Sequence, residues 1–176
     1  MDLSKLEEYP SKEALVENLR RLTTDSEVKY HGCCQVVVQT FLDILGVQNE
    51  ALSMAASPFV GGLALTGNNC GAVIGGLMVL GTVFGRRDMK EGMPGLLKGI
   101  KPMRRLVKFF ADKHRSVNCR DLTGVMLADS MQAQGYFNAG GLERCAGMMA
   151  DVAAWVGEIL YDEQQLRKTG KELPGT

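Results

Sequence analysis

The chain has 176 residues, 45% of them hydrophobic and 23% charged, with 20 basic and 20 acidic side chains and a formal net charge of zero. That length suits a single domain, residues 1–176, with a sizeable core. The balance of charge removes the broad positive field on which non-specific nucleic-acid or membrane-surface binding depends, so neither is expected as the main activity.

The opening stretch, MDLSKLEEYPSKEALVENLRRL, is charged and amphipathic and has no apolar run of the kind a signal peptide needs, so a cytoplasmic location is expected. Ser11 is placed to cap a first helix through Leu22, with Leu15, Val16, Leu19 and Leu22 recurring at helical spacing and Glu13 in the first turn. A second helix is predicted from about Gly32 to Leu45, with Val36, Val37, Phe41, Ile44 and Leu45 inward and Gly46 as its C-terminal cap. A short third helix near Asn49 to Ala56 is ended by Pro58.

No charged residue occurs between Glu50 and Arg86. Pro58, Gly61-Gly62 and Gly67-Asn68-Asn69 interrupt this stretch, and its unbroken apolar part, Cys70 to Phe84, is shorter than the ~20 residues a bilayer span needs. The expectation is a glycine-rich loop, PFVGGLALTGNN, followed by a buried central helix. That helix carries Gly71, Gly75, Gly76 and Gly81, each costing roughly 1 kcal/mol of helix stability relative to Ala, so close packing against its backbone is expected of the group. The loop fits neither the P-loop nor the G-x-G-x-x-G pattern.

Arg86 to Lys101 reads as a loop or short turn around Pro94, Pro102 to His114 as a helix, Asp121 to Gly124 as a short helical piece, and Leu142 to Leu166 as the final helix. Lys101, Arg104, Arg105, Lys108, Lys113 and Arg115 form a basic run that reads as a solvated face, or as a docking surface for an acidic redox partner. Sustained alternation is absent, so the chain reads as an all-α bundle of about five to seven helices around the glycine-rich central one.

Five cysteines in a reducing compartment are expected to be free, metal-bound or redox-active rather than structural bridges. Cys33, Cys70, Cys119 and Cys145 all fall near predicted helix starts, where free N–H groups and partial positive charge favour the thiolate that attacks disulfides or binds metal. There is no C-x-x-C, so a shared site has to be assembled by folding from four separate segments; four small buried hydrophobes would leave the same spacing. Cys34 points about 100° away from Cys33 on a helix and is assigned to the core. His31 and His114 are read as solvated or capping side chains, and the ten methionines as core filler.

The block Cys70-Gly71-Ala72-x-x-Gly75 resembles the C_GCAxxG_C_C family, whose members are described as redox-active, although the family's name spells Gly before Cys. Cys33, Gln35 and Val37 match a Cys-x-Gln-x-Val context, Cys119, Leu122 and Gly124 a Cys-x-x-Leu-x-Gly context, and Cys145 begins the last helix as the fourth cysteine does. The resemblance covers about Glu27 to Leu160 and departs at Cys34, where small residues are usual. It implies that the four cysteines act together in redox or metal-cluster chemistry, with Gly71, Ala72 and Gly75 lining the cofactor. An iron–sulfur cluster for electron transfer or sensing is the first expectation, with zinc or no metal as alternatives. A thiol–disulfide oxidoreductase cycling the same cysteines stands beside it, as does a non-catalytic helical scaffold with incidental thiols. A redox partner protein and a homodimer are the associations expected.

Overall fold

A computed structural model describes residues 1–170; residues 171–176, the tail of the expected domain, lie outside the described residues. The fold is all-α, with eight α-helices and no named strand among the described residues: α1 (Lys12–Tyr30), α2 (Cys33–Ile44), α3 (Glu50–Ala56), α4 (Gly71–Phe84), α5 (Gly92–His114), α6 (Cys119–Thr123), α7 (Ser130–Asn138) and α8 (Gly141–Thr169). Eight exceeds the five to seven expected. The extra helix is α7, whose start is marked by Asp129 accepting from the N–H groups of Met131 and Gln132. Among the described residues, no helix is long and apolar enough to cross a membrane.

Helix α1 begins as expected, with the Ser11 hydroxyl accepting from the Ala14 N–H at 3.2 Å. It runs two turns past the predicted end at Leu22, because its buried stripe continues at four-residue spacing through Leu15, Leu19, Thr23 and Glu27. The last two members are polar, so hydrophobic periodicity loses them. The stripe packs along α8, where Gly157 leaves room for the Leu19 side chain. Helix α5 starts ten residues before the predicted Pro102, at Gly92. Pro94 falls in its first turn, where a missing N–H costs nothing, and Gly99 lets it rest against the Phe84 carbonyl at the end of α4.

Helix α4 packs against α2, α5 and α8. Its glycines divide the task. A Cβ on Gly75 would stand 2.7 Å from the Cys34 carbonyl oxygen of α2, and one on Gly76 would stand 2.7 Å from Leu106 of α5 and 2.8 Å from Val152 of α8. Gly81 has nothing within 4 Å of that position, so three of the four glycines (Gly71 included), not all, answer the expected close approach. Asp151 of α8, 5% exposed, ties three helices together: Arg20 of α1 at 2.8 Å, and Lys113 and His114 of α5 at 2.7 and 3.1 Å.

Candidate functional site

The loop between α3 and α4 makes an unusual turn. Gly61, Gly62, Leu63, Ala64 and Leu65 all have positive φ, between 52° and 73°. Three of them carry side chains, and left-handed backbone costs such residues roughly 1–2 kcal/mol each. The turn is held by the Leu65, Gly67 and Asn68 N–H groups, which donate to the carbonyls of Val60, Gly61 and Gly62 at 3.0–3.1 Å. Gly62 is obligatory: a Cβ there would stand 2.5 Å from the Asn68 carbonyl oxygen and 2.8 Å from Cys119 Cβ.

Beyond the turn, the chain lies antiparallel to residues 117–120. The Cys70 N–H donates to Val117 O at 2.7 Å, the Cys119 N–H to Asn68 O at 2.6 Å and the Arg120 N–H to Gly67 O at 2.9 Å, around a bridge between Asn69 and Asn118. This short ladder sets Cys70, the residue before α4, beside Cys119, the first residue of α6. Cys33 is the first residue of α2, and its sulfur lies against Gly71, where any Cβ would overlap it. Cys145 is the fifth residue of α8, one position further in than the predicted start at Leu142 implies. Gly141, one turn earlier, lets the Tyr136 ring lie against the helix so that its hydroxyl reaches the Cys145 sulfur at 3.5 Å.

Cys33, Cys70, Cys119 and Cys145 line one cavity of about 570 Å³, together with Gly71 and Glu27. All five cysteines are free thiols, and Cys34 is fully buried away from the cavity, 3.8 Å from the Met78 sulfur. Of the other two residues expected beside a cofactor, Ala72 turns its side chain into the apolar core and only its N–H to the Cys70 sulfur, and Gly75 lies against the α2 backbone. Among the described residues, no three His, Cys, Asp or Glu side chains are grouped closely enough to hold one metal ion.

The electrostatics correct the expectation of helix-lowered thiol pKa values. Burial pushes Cys33, Cys70 and Cys119 up to about 12. The N–H groups facing two of the sulfurs, Gly61 at Cys33 and Ala72 and Val73 at Cys70, oppose that rise without overcoming it. The thiols also feel one another in every pairing. Charge on Cys70 or Cys145 opposes ionisation of Cys33, charge on Cys119 or Cys145 that of Cys70, and charge on Cys33 or Cys145 that of Cys119. Cys145 is raised too, by burial, but it alone of the four has side chains that favour its thiolate: the Tyr136 hydroxyl and the Arg144 guanidinium.

Sequence reasoning missed Glu27 and Tyr136 as site residues. Glu27, in the last turn of α1, is 6% exposed, and burial alone raises its carboxyl to about 7. Its charge opposes ionisation of Cys33 and Cys145, and its Oε2 has no hydrogen-bond partner. The signal available was its place four residues beyond Thr23 on the extended stripe. His31, exposed and with φ of 57°, ends α1 at the cavity mouth, and His114 pairs with Asp151.

The profile of the family described as "Putative redox-active protein (C_GCAxxG_C_C)" matches residues 31–159. The chain belongs to the C_GCAxxG_C_C family. No curated protein and no solved structure gives a match. The C_GCAxxG_C_C match takes in all four cavity cysteines and stops short of Glu27. In this member the order Cys70-Gly71 leaves the sulfur on the residue preceding α4, and the glycine at its first position receives the Cys33 sulfur.

Proposed function

We propose that this protein is an electron-transfer or redox-sensing protein in which Cys33, Cys70, Cys119 and Cys145 together hold an iron–sulfur cluster. The observation that carries the reading is that four segments far apart in sequence each turn one thiol to the same cavity. Burial to about 12 keeps such thiols protonated at neutral pH, and four uncompensated thiolates would repel one another. Cationic iron removes both penalties, and the cluster supplies one-electron chemistry when bound. Zinc is the alternative, and would draw its ligands onto a single ion. In a cluster, different thiolates bind different irons and stand further apart. The chain's own part is to exclude water with apolar walls, to bring N–H groups of Gly61, Ala72 and Val73 to the sulfurs, and to present the site to a redox partner protein.

Protein purified without oxygen is expected to contain iron and acid-labile sulfide and to absorb in the visible, with iron falling on each of the four Cys→Ser replacements but not on Cys34→Ser. Four titratable cavity thiols with no iron overturn the reading.

A second reading, thiol–disulfide exchange, is favoured by the surroundings of Cys145. Its thiolate would attack a substrate disulfide, and a second cysteine would release the product, two thiols yielding two electrons and two protons to the substrate sulfurs. Tyr136→Phe is then expected to slow alkylation of Cys145 at pH 8 about fivefold, the worth of one hydrogen bond to the thiolate, as read by mass spectrometry of the Cys145 peptide. An unchanged rate removes Cys145 as the attacking thiol.

A further inference from the structure

The four sulfurs account for only part of the cavity wall. Much of the rest is apolar, formed by Val60, Leu122, Leu127, Leu142 and Met148, with Phe137, 45% exposed, at the edge. The lining also carries His31, Thr123, Asn138 and Glu143, but of its polar side chains only Glu27 is buried. Glu27 is 94% buried (6% exposed), its Oε2 accepts no hydrogen bond, and no cation offsets the burial of its carboxyl. An acceptor left unmade in a buried site costs roughly 1–3 kcal/mol, more when it is charged. Buried polar atoms in folded proteins are almost always satisfied, and an exception calls for a cause such as strain, a catalytic role or a bound partner. Volume and lining match those of sites for small organic molecules, which run from about 300 to 1,000 Å³ and pair apolar walls with a few placed polar groups.

We propose that the cavity binds a compact, largely apolar organic molecule whose hydroxyl or amino head donates a hydrogen bond to Glu27. Where Glu27 is ionised, above about pH 7, its carboxylate only accepts, so the head must be a donor, and an ammonium head would also pair its charge. The apolar body lies along Leu122, Leu142 and Met148. This goes beyond the redox reading and does not rest on it, because the recognising groups are Glu27 and the apolar wall rather than the thiols.

Benzyl alcohol, benzylamine and ethylbenzene share a ring and a size and differ in the head, so they are the probes. Titrated into the reduced protein and followed through the methionine methyl signals, the alcohol and the amine are expected to bind about tenfold more tightly than ethylbenzene and to shift Met148 and Met149, which line the cavity. Glu27→Leu is expected to abolish that preference. Glu27→Gln, which keeps size and an acceptor oxygen, is expected to retain the alcohol and lose the extra affinity for the amine. No binding, equal binding of all three probes to the wild type, shifts confined to methionines outside the cavity, or an unchanged preference in Glu27→Leu each overturn the proposal. Iron content, measured on the same preparations, reports on the cluster separately.

Discussion

Glu27 and Cys33 sit six positions apart, on either side of the tight α1–α2 turn, and both face the cavity where burial penalises their charged forms. For Glu27 the sign of the linkage is clear. Its carboxyl ionises near 4.5 in the unfolded chain and near 7 in the fold, so between these values the unfolded chain releases a proton the folded one keeps. Stability therefore falls as pH rises from about 4.5 to 7 and is level above. Glu27→Gln is expected to remove this fall and to gain up to about 3 kcal/mol at pH 8 with little change at pH 4. Urea midpoints of the two proteins at both pH values check it; equal midpoints at pH 8 would show that the carboxyl is not desolvated. The sequence alone does not mark Glu27, because a single glutamate near a helix end looks like any solvated one until the helix face it shares with Leu15 and Leu19 is known.

At the scale of helices, α4 shows why composition and position have to be weighed together. By propensity alone, replacing any of its glycines with alanine stabilises the helix by about 1 kcal/mol. Space reverses that for Gly71, where a Cβ would overlap the Cys33 sulfur and stand 2.6 Å from the Phe59 carbonyl oxygen. Gly71→Ala is expected to cost about 2 kcal/mol through overpacking and to displace Cys33 from the site. Gly81, with nothing within 4 Å, keeps the propensity gain, so Gly81→Ala is expected to raise stability by up to about 1 kcal/mol. Thermal melts of the two variants decide it: a rise in both would show that a Cβ at Gly71 is accommodated, and a fall at Gly81 that its surroundings are not open. The clustering of glycines around Cys70 was legible in the sequence, but which of them meets a neighbour was not, since that depends on the angle at which α2 and α8 cross.

Across the whole molecule, Asp151 is the point where α1, α5 and α8 meet through charge. Burial opposes its ionisation, yet the hydrogen bonds and charges of Lys113 and Arg20 outweigh that and hold its carboxyl below the usual 3.8. A lowered carboxyl contributes stability above its unfolded value and loses it as pH falls through the folded one. Asp151→Asn is expected to cost about 2 kcal/mol at pH 7, less than a fully buried pair would because Arg20 and Lys113 are half exposed, with the difference shrinking below pH 4. Denaturation at pH 7 and pH 3 tests this; an equal loss at both would place the effect in packing.

Residue type and spacing alone were enough for the all-α class, the starts of α1 and α2, the course of α4 and the family, because capping, apolar period and a cysteine–glycine block are local properties of the chain. The first ten residues of α5 escaped notice because Gly99 owes its place to the Phe84 carbonyl of α4, a contact made only by folding, whereas α7 carried a local cap at Asp129 that apolar periodicity does not register. The meeting of four thiols with Glu27 and Tyr136 was decided only in three dimensions, by a left-handed turn, an antiparallel pair of loop segments and two glycines that admit a sulfur and a ring. Thiol acidity followed the same division: helix position favours the thiolate, but desolvation, a property of the assembled cavity, is larger and of opposite sign.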